Sequence, residues 1–385
     1  MISIVIPSYN NLRHLKNAYE SVRKHYDDVE LILIDDGSDD GTYEWLQSLN
    51  DSKLIYWREE TRLGHTILYD RGIEKATNEI VGILHADMYI APNYIENLLK
   101  HLQPGKVVCA TRVEPPLHPA GPEKIIQDFG LDFDSLKIDE FYKWANTEVK
   151  RSKDTTTRGM FAPWVLYKKD FLDIGGHDPG FAPYPFEDSD IFQRWILAGY
   201  ELLQSRDALV YHLTCRGHRW NDKAGGDIGK NDDQYAKFEH RAARHYIRKW
   251  GSWIQNDEYQ YPIILPKYDI GIIVENCNQQ LLLMLEPWCG RIYADGNIDD
   301  YIIYEQPSTS FDLLKRVFPY DNEKQNEILV YIDGKTFNQQ DFNIIMKLPE
   351  IIQTSGAVGE FKLGNLKFKI TGLNTYEKEL IKCES

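Results

Sequence analysis

The chain has 385 residues, 42% of them hydrophobic and 12% aromatic, and a formal net charge of −15 at pH 7. That length supports two domains and a sizeable core, while the negative field argues against a nucleic-acid or anionic-membrane partner. Five scattered cysteines are too few for a disulfide framework, no run of 18 apolar residues offers a transmembrane helix, and "MISIVIPSYN" enters a strand without a signal-peptide n-region, so a reducing cytoplasm is the expected compartment.

In chain order, the β-branched runs "SIVIPS" and "ELILID" predict two strands. Between them Leu12, Leu15, Tyr19 and Val22 recur at helical spacing. "KLIYW", "IVGIL" and "KVVCATR" predict further strands, and helices are expected over 43–49, 66–76 and 94–102. This alternation predicts an α/β fold with a mostly parallel sheet and helices on both faces. Residues 113–157 interrupt it. "VEPPLHPAGPEK" is too proline-rich for a regular element, and "FDSLKIDEFYKWANTEVK" shows no strong period. The stretch reads as an insertion, either a lid or acceptor-binding loop or a surface excursion.

A helix over 188–198 follows, closed by Gly199, then the strands "ELLQS" and "ALVYH". The glycine-rich stretch before "KNDDQ" fails as a P-loop, because Asn231 stands where Ser or Thr should follow Lys230. From about 256 the character changes: residues 251–385 hold 20 acidic and 12 basic side chains, the more acidic part of the chain for its size. "DIGIIVE", "RIYAD", "YIIYEQ", "EILVYID", "EFKL" and "LKFKI" predict its strands, with helices near 279–285 and 311–317. The expected division is a catalytic domain over 1–225, a helical linker over 226–255 and a smaller α/β or α+β accessory domain over 256–385. No catalytic motif stands out in the accessory domain, which makes homodimerisation a hypothesis for it.

Sheets of this kind bind ligands at the carboxyl ends of their strands. Pro7, Ser8 and Tyr9 end the first strand, and Asp35, Asp36, Gly37 and Ser38 the second. His85 and Asp87 follow the fourth, Glu187 and Asp188 open the later helix, and His212 ends "ALVYH". Carboxylates kept together usually have a cation between them, and carboxylate oxygen with an imidazole suits Mg²⁺ or Mn²⁺. Blander readings exist: Asp87 as a strand-end cap, Asp188 as a helix N-cap, His212 as a hydrogen-bonded core residue. Trp164, Arg219 and Trp220 are candidates to stack on a sugar, or ordinary core. His212, Cys215 and His218 lack an evident fourth ligand for structural zinc.

"SIVIPSYNN", "LILIDDGSDDGT", "ILHADMYI", "IGGHDPGF" and "FEDSDIFQRWILAGY" occur in this order over about residues 1–220. Together they resemble the family 2 glycosyltransferases, inverting nucleotide-sugar enzymes of GT-A fold. The resemblance implies that Pro7, Tyr9 and Asp36 line a nucleoside pocket with Ser38 beside them, Asp36 reading the base and Tyr9 stacking on it. It implies that Asp87 is the metal-binding aspartate of Asp-x-Asp, with His85 in place of the first aspartate. His212 matches a late histidine that reaches the metal. Asp188 matches the catalytic base, with Glu187 as the alternative. "GHTILYDRGI" departs from the family's Gly-x-Ser-x-Ala-Arg-Asn-x-Gly, so the basic contact to donor phosphate is either missing or supplied by Arg71.

The implied activity moves one sugar from a nucleotide sugar to a hydroxyl of a glycan, lipid-linked saccharide or glycoprotein, with Mn²⁺ or Mg²⁺. A uridine diphosphate sugar is the expected donor. Gln193, Arg194 and Trp195 are contiguous, so the Gln-x-x-Arg-Trp signature of processive synthases is absent. The alternatives are a catalytically weak nucleotide-sugar-binding assembly module and a nucleotidyltransferase. "PSYNNLRH" lacks the glycine and lysine that the latter's triphosphate loop needs.

Overall fold

The structure, a computed structural model, describes residues 1–216, 220, 231 and 233–383. The chain forms two units that interleave along the sequence. The first takes Met1–Glu239, Asn256–Pro262 and Lys382–Ser385; the second takes His240–Gln255 and Ile263–Ile381. A single cut between 255 and 256 therefore does not reproduce the division. Among the described residues, no helix is long and apolar enough to cross a membrane.

In the first unit, β1 (Ile2–Ser8), β2 (Glu30–Asp35), β3 (Leu54–Arg58) and β4 (Ile80–Ile83) lie parallel in the order β3-β2-β1-β4. α1 (Leu12–Arg23), α2 (Thr42–Ser48) and α3 (His65–Lys75) are the crossovers. Every residue of β1 and β2 is buried, as strands covered on both faces must be, which is why they read as continuous apolar runs.

The remaining strands are β5 (Met88–Ile90), β6 (Lys106–Glu114), β7 (Lys124–Ile126), β8 (Thr156–Thr157), β9 (Trp164–Tyr167) and β10 (Glu201–His212). The sheet continues β4-β9-β6-β10-β5. β9 runs antiparallel to β4 and β6, while β6 and β10 are parallel. α4 (Tyr94–Leu99), α5 (Ile138–Arg151), α6 (Lys168–Asp173), α7 (Glu187–Leu197) and α8 (Asp233–Trp250) complete the helices of this part of the chain. The expected α/β fold, a mostly parallel sheet followed by a smaller α/β unit, is the one observed.

Two readings change here. "ELLQS" and "ALVYH" are one strand, β10, whose register against β6 shifts between Gln204 and Leu209. The stretch without apparent period contains α5, which buries Phe141, Tyr142 and Ala145 against Tyr89, Phe129 and Tyr211. Its stripe is carried by aromatics set among charges, a pattern with little apolar periodicity.

In the second unit, β11 (Ile270–Glu275), β12 (Arg291–Ala294), β13 (Val317–Pro319) and β14 (Ile328–Asp333) are parallel in the order β13-β12-β11-β14. The hairpin of β15 (Gly359–Leu363) and β16 (Leu366–Ile370) extends the sheet antiparallel from β14. α9 (Gln279–Leu285), α10 (Ile298–Glu305), α11 (Gln339–Met346) and α12 (Leu348–Ser355) join the strands. Two expectations fail. "YIIYEQ" is helical, lying in α10 and the turn after it, not a strand; Asn297 caps α10 by accepting from the Asp300 amide at 3.3 Å. The helix expected over 311–317 is a 3₁₀ turn, Leu313–Lys315, that leads into β13.

Candidate active site

The first unit places a cleft at the carboxyl ends of its parallel strands. Pro7, Ser8, Tyr9, Asp36, Arg62, Gly64, His65, Tyr69, His85, Ala86 and Tyr184 line it. Asp36 follows β2 and is buried; its carboxylate accepts from the amides of Leu63 at 2.7 Å and Gly64 at 2.9 Å. Burial raises its pKa to about 6 against the pull of those two donors. The Arg62 guanidinium lies 4.1 Å over the Tyr9 ring and donates to the Tyr184 hydroxyl at 3.1 Å.

Ser38 stands behind the cleft rather than in its lining. Its hydroxyl accepts from the Asn10 amide at 2.9 Å, and its own amide donates to Asp35 at 2.8 Å, which ties together the loops after β1 and β2. Arg71 is also outside the lining, ion-paired with Glu59 at 2.7 Å. Asp70 anchors the "GGHD" turn, accepting from the His177 amide at 2.9 Å and pairing with its ring at 2.6 Å.

α7 starts after Phe186, which holds φ 79, a left-handed conformation uncommon for a bulky side chain. Glu187 and Asp188 thus enter the first helical turn side by side. His65 reaches Glu187 at 2.6 Å, and both are largely buried. Burial works to raise the Glu187 pKa, but the His65 charge and hydrogen bond hold it low. The same ion pair raises the His65 pKa despite burial. Asp188 goes the opposite way, pushed up to about 7 by burial and by the adjacent Glu187 charge.

His85, Asp87 and His212 each offer a ligand atom, and these atoms lie within 4.8 Å of one another. Asp87, 1% exposed, accepts from the Arg216 amide at 2.8 Å, and His212 Nε2 lies 3.7 Å from it. The other ring nitrogen of His212 is 2.9 Å from Glu114, at the end of β6. Arg112 at 2.7 Å and Lys124 at 3.1 Å also hold Glu114. Burial opposes its ionisation, yet Arg112 and His212 bring its carboxyl well below the usual range. A fixed carboxylate on one imidazole nitrogen leaves the other to face a metal. One carboxylate and two imidazoles at this spacing fit a divalent cation such as Mn²⁺.

Trp164 is fully buried, edge-on to Trp195 at 5.2 Å, and belongs to the core. Trp220 is buried and packs on His118; Arg219, His218 and Lys230 lie outside the described residues. Arg62, His65, Tyr184 and Glu114 are site residues that sequence reading missed. Only Glu114 carried a signal: it ends a strand, as Asp36 nearly does.

A largely parallel sheet with carboxylates and histidines gathered at its strand ends is the arrangement in which α/β domains place ligands. The family model described as "Glycosyl transferase family 2" matches residues 3–175. Among curated proteins the chain is similar to glycosyltransferase GlyG of Streptococcus pneumoniae serotype 4, 31% identical over 27% of this chain and 35% of that one. It is also similar to the validoxylamine A glucosyltransferase of Streptomyces hygroscopicus subsp. jinggangensis, 24% identical over 54% of each chain. The chain thus spans about a third to a half of these relatives. Among solved structures it is similar to the mannosyltransferase PcManGT from Pyrobaculum calidifontis, in complex with GDP-Man and Mn²⁺. That pair is 18% identical, with a TM-score of 0.42 over 64% of this chain and 63% of the other.

Proposed function

We propose that the protein is an inverting glycosyltransferase that moves a single sugar from a nucleoside-diphosphate sugar to a hydroxyl of a saccharide-bearing acceptor. A glycan, lipid-linked saccharide or glycoprotein would serve as acceptor, and a uridine diphosphate sugar is the first donor to try. One observation carries the reading: a single cleft wall joins two chemistries. His65, paired with Glu187 beside Asp188, stacks at 6.4 Å on His85 of the cluster with Asp87 and His212.

In this reading Asp36 and Tyr9 hold the nucleoside, and Arg62 adds a second planar surface for the base. Asp188 takes the acceptor proton as the acceptor oxygen attacks the anomeric carbon, and the bond to the diphosphate breaks on the opposite face. Its raised pKa suits a base that works near neutrality. Glu187, held ionised by His65, keeps that pKa up. Asp87, His212 and His85 would hold Mn²⁺ or Mg²⁺, which neutralises the departing diphosphate.

The test is calorimetric titration of UDP, GDP and dTDP, each with Mn²⁺ and in metal-free buffer. Metal-dependent binding of one nucleotide is expected. Failure of all three to bind under either condition would overturn the proposal.

A further inference from the structure

The second unit has a cavity of about 350 Å³ that the glycosyl-transfer reading does not use. It lies where β11 and β12 begin, and its wall includes Lys267, Asp269, Arg291, Arg316, Tyr376 and Glu379. The volume is in the range of small-molecule sites.

The charges in this wall divide into two sets. Arg248 and Arg316 share the buried Glu286, at 2.6 Å each, and Arg248 is also paired with Glu305 at 2.5 Å. Asp269 is turned toward neutral donors, accepting from Asn326 Nδ2 at 2.6 Å and the Glu327 amide at 3.3 Å. Lys267 and Arg291 make no side-chain ion pair or hydrogen bond among the described residues. Glu379 is the acidic group that acts on Lys267, and it is outweighed: burial, Arg316 and Lys249 together lower the Lys267 pKa to about 8. A lysine surrounded chiefly by cations, in a concave site, gains from an anion that answers them.

We propose that this cavity is a binding site for a phosphate monoester, with the phosphoryl group held between Lys267 and Arg291. Two cations with no ion pair among the described residues match a dianion better than a monocarboxylate, and Lys and Arg are the usual phosphate donors. The site sits in the more acidic part of the chain, so its local positive charge is not a by-product of a basic surface. Free phosphate and a sugar phosphate share this chemistry. The half-buried Tyr376 in the same wall offers a ring to the sugar.

The experiment uses the full chain in metal-free buffer, titrated calorimetrically with inorganic phosphate and, separately, with glucose 1-phosphate. Both are expected to bind, and Lys267→Gln or Arg291→Gln should weaken each at least tenfold. Tighter binding of the ester would assign the site to a phosphorylated saccharide; equal affinities would assign it to the phosphoryl group itself. A second measurement needs no variant. Lysine acylation of the wild-type chain, read by peptide mass spectrometry, should show phosphate protecting Lys267 but not the exposed Lys362. Absence of binding, unchanged affinity in both variants, or Lys267 labelling indifferent to phosphate would each overturn the proposal.

Discussion

Asp188 and Glu187 are neighbours in sequence, and His65 makes them unequal. Glu187 stays ionised beside the imidazolium, while Asp188 carries a proton up to about pH 7. A base must be unprotonated to act, so kcat/KM for transfer should rise with pH, pass its half-maximum near pH 7 and then level off. Asp188→Asn should lower kcat at least ~100-fold, the low end for loss of a general base, and leave nucleotide affinity intact. Glu187→Gln removes the charge that raises Asp188, so the ascending limb should move to lower pH. A pH–rate profile unmoved in Glu187→Gln would sink the assignment. At the metal cluster, Glu114→Gln keeps the shape but weakens the hold on His212. Mn²⁺ affinity, read by electron paramagnetic resonance, should fall about 10–100-fold. Wild-type affinity would remove Glu114 from the site's support.

Elements build this cleft through close approaches as well as side chains. Gly64 precedes α3 with φ +89, and a Cβ there would lie 2.2 Å from the Pro183 Cα. No rotamer relieves a clash with backbone. Gly64→Ala should therefore displace the segment that carries Tyr184, weaken nucleotide binding and cost about 2 kcal/mol or more by urea unfolding. Normal affinity together with normal stability would contradict this.

The same contrast explains what the sequence revealed. β1 and β2 are buried on both faces, so their apolar runs and the polar residues ending them were plain, and Asp36, His85, Asp87 and His212 could be picked out. Arg62, His65 and Tyr184 reach the cleft from loops and from the start of α3, where no period marks a side chain's direction. Charge alone makes Arg71 a candidate, and only the three-dimensional path pairs it with Glu59. α10 was misread because "YIIYEQ" is a short apolar run that fits either period, and its informative residue was the Asn297 cap outside it.

At the scale of the whole molecule, the interleaved division changes where the chain can be cut. Residues 256–262 return to the first unit, where the Tyr259 carbonyl accepts from the Met160 amide at 3.1 Å and Asp257 pairs with Arg158 at 2.6 Å. The ion pair is largely exposed on the Arg158 side and contributes little. Met160 is different. It is 1% exposed, so removing the carbonyl strands a buried donor at a cost of about 1–3 kcal/mol. For a domain of this size each kcal/mol moves the melting temperature by about 2–4 °C. Two fragments, ending at 255 and at 262, share the same α8 and differ only in this segment. The longer should melt higher by about 2–12 °C, and both should bind nucleotide if the cleft is self-sufficient. Equal melting temperatures in a calorimetric scan would mean that the segment adds nothing to the first unit and that the natural boundary is at 255.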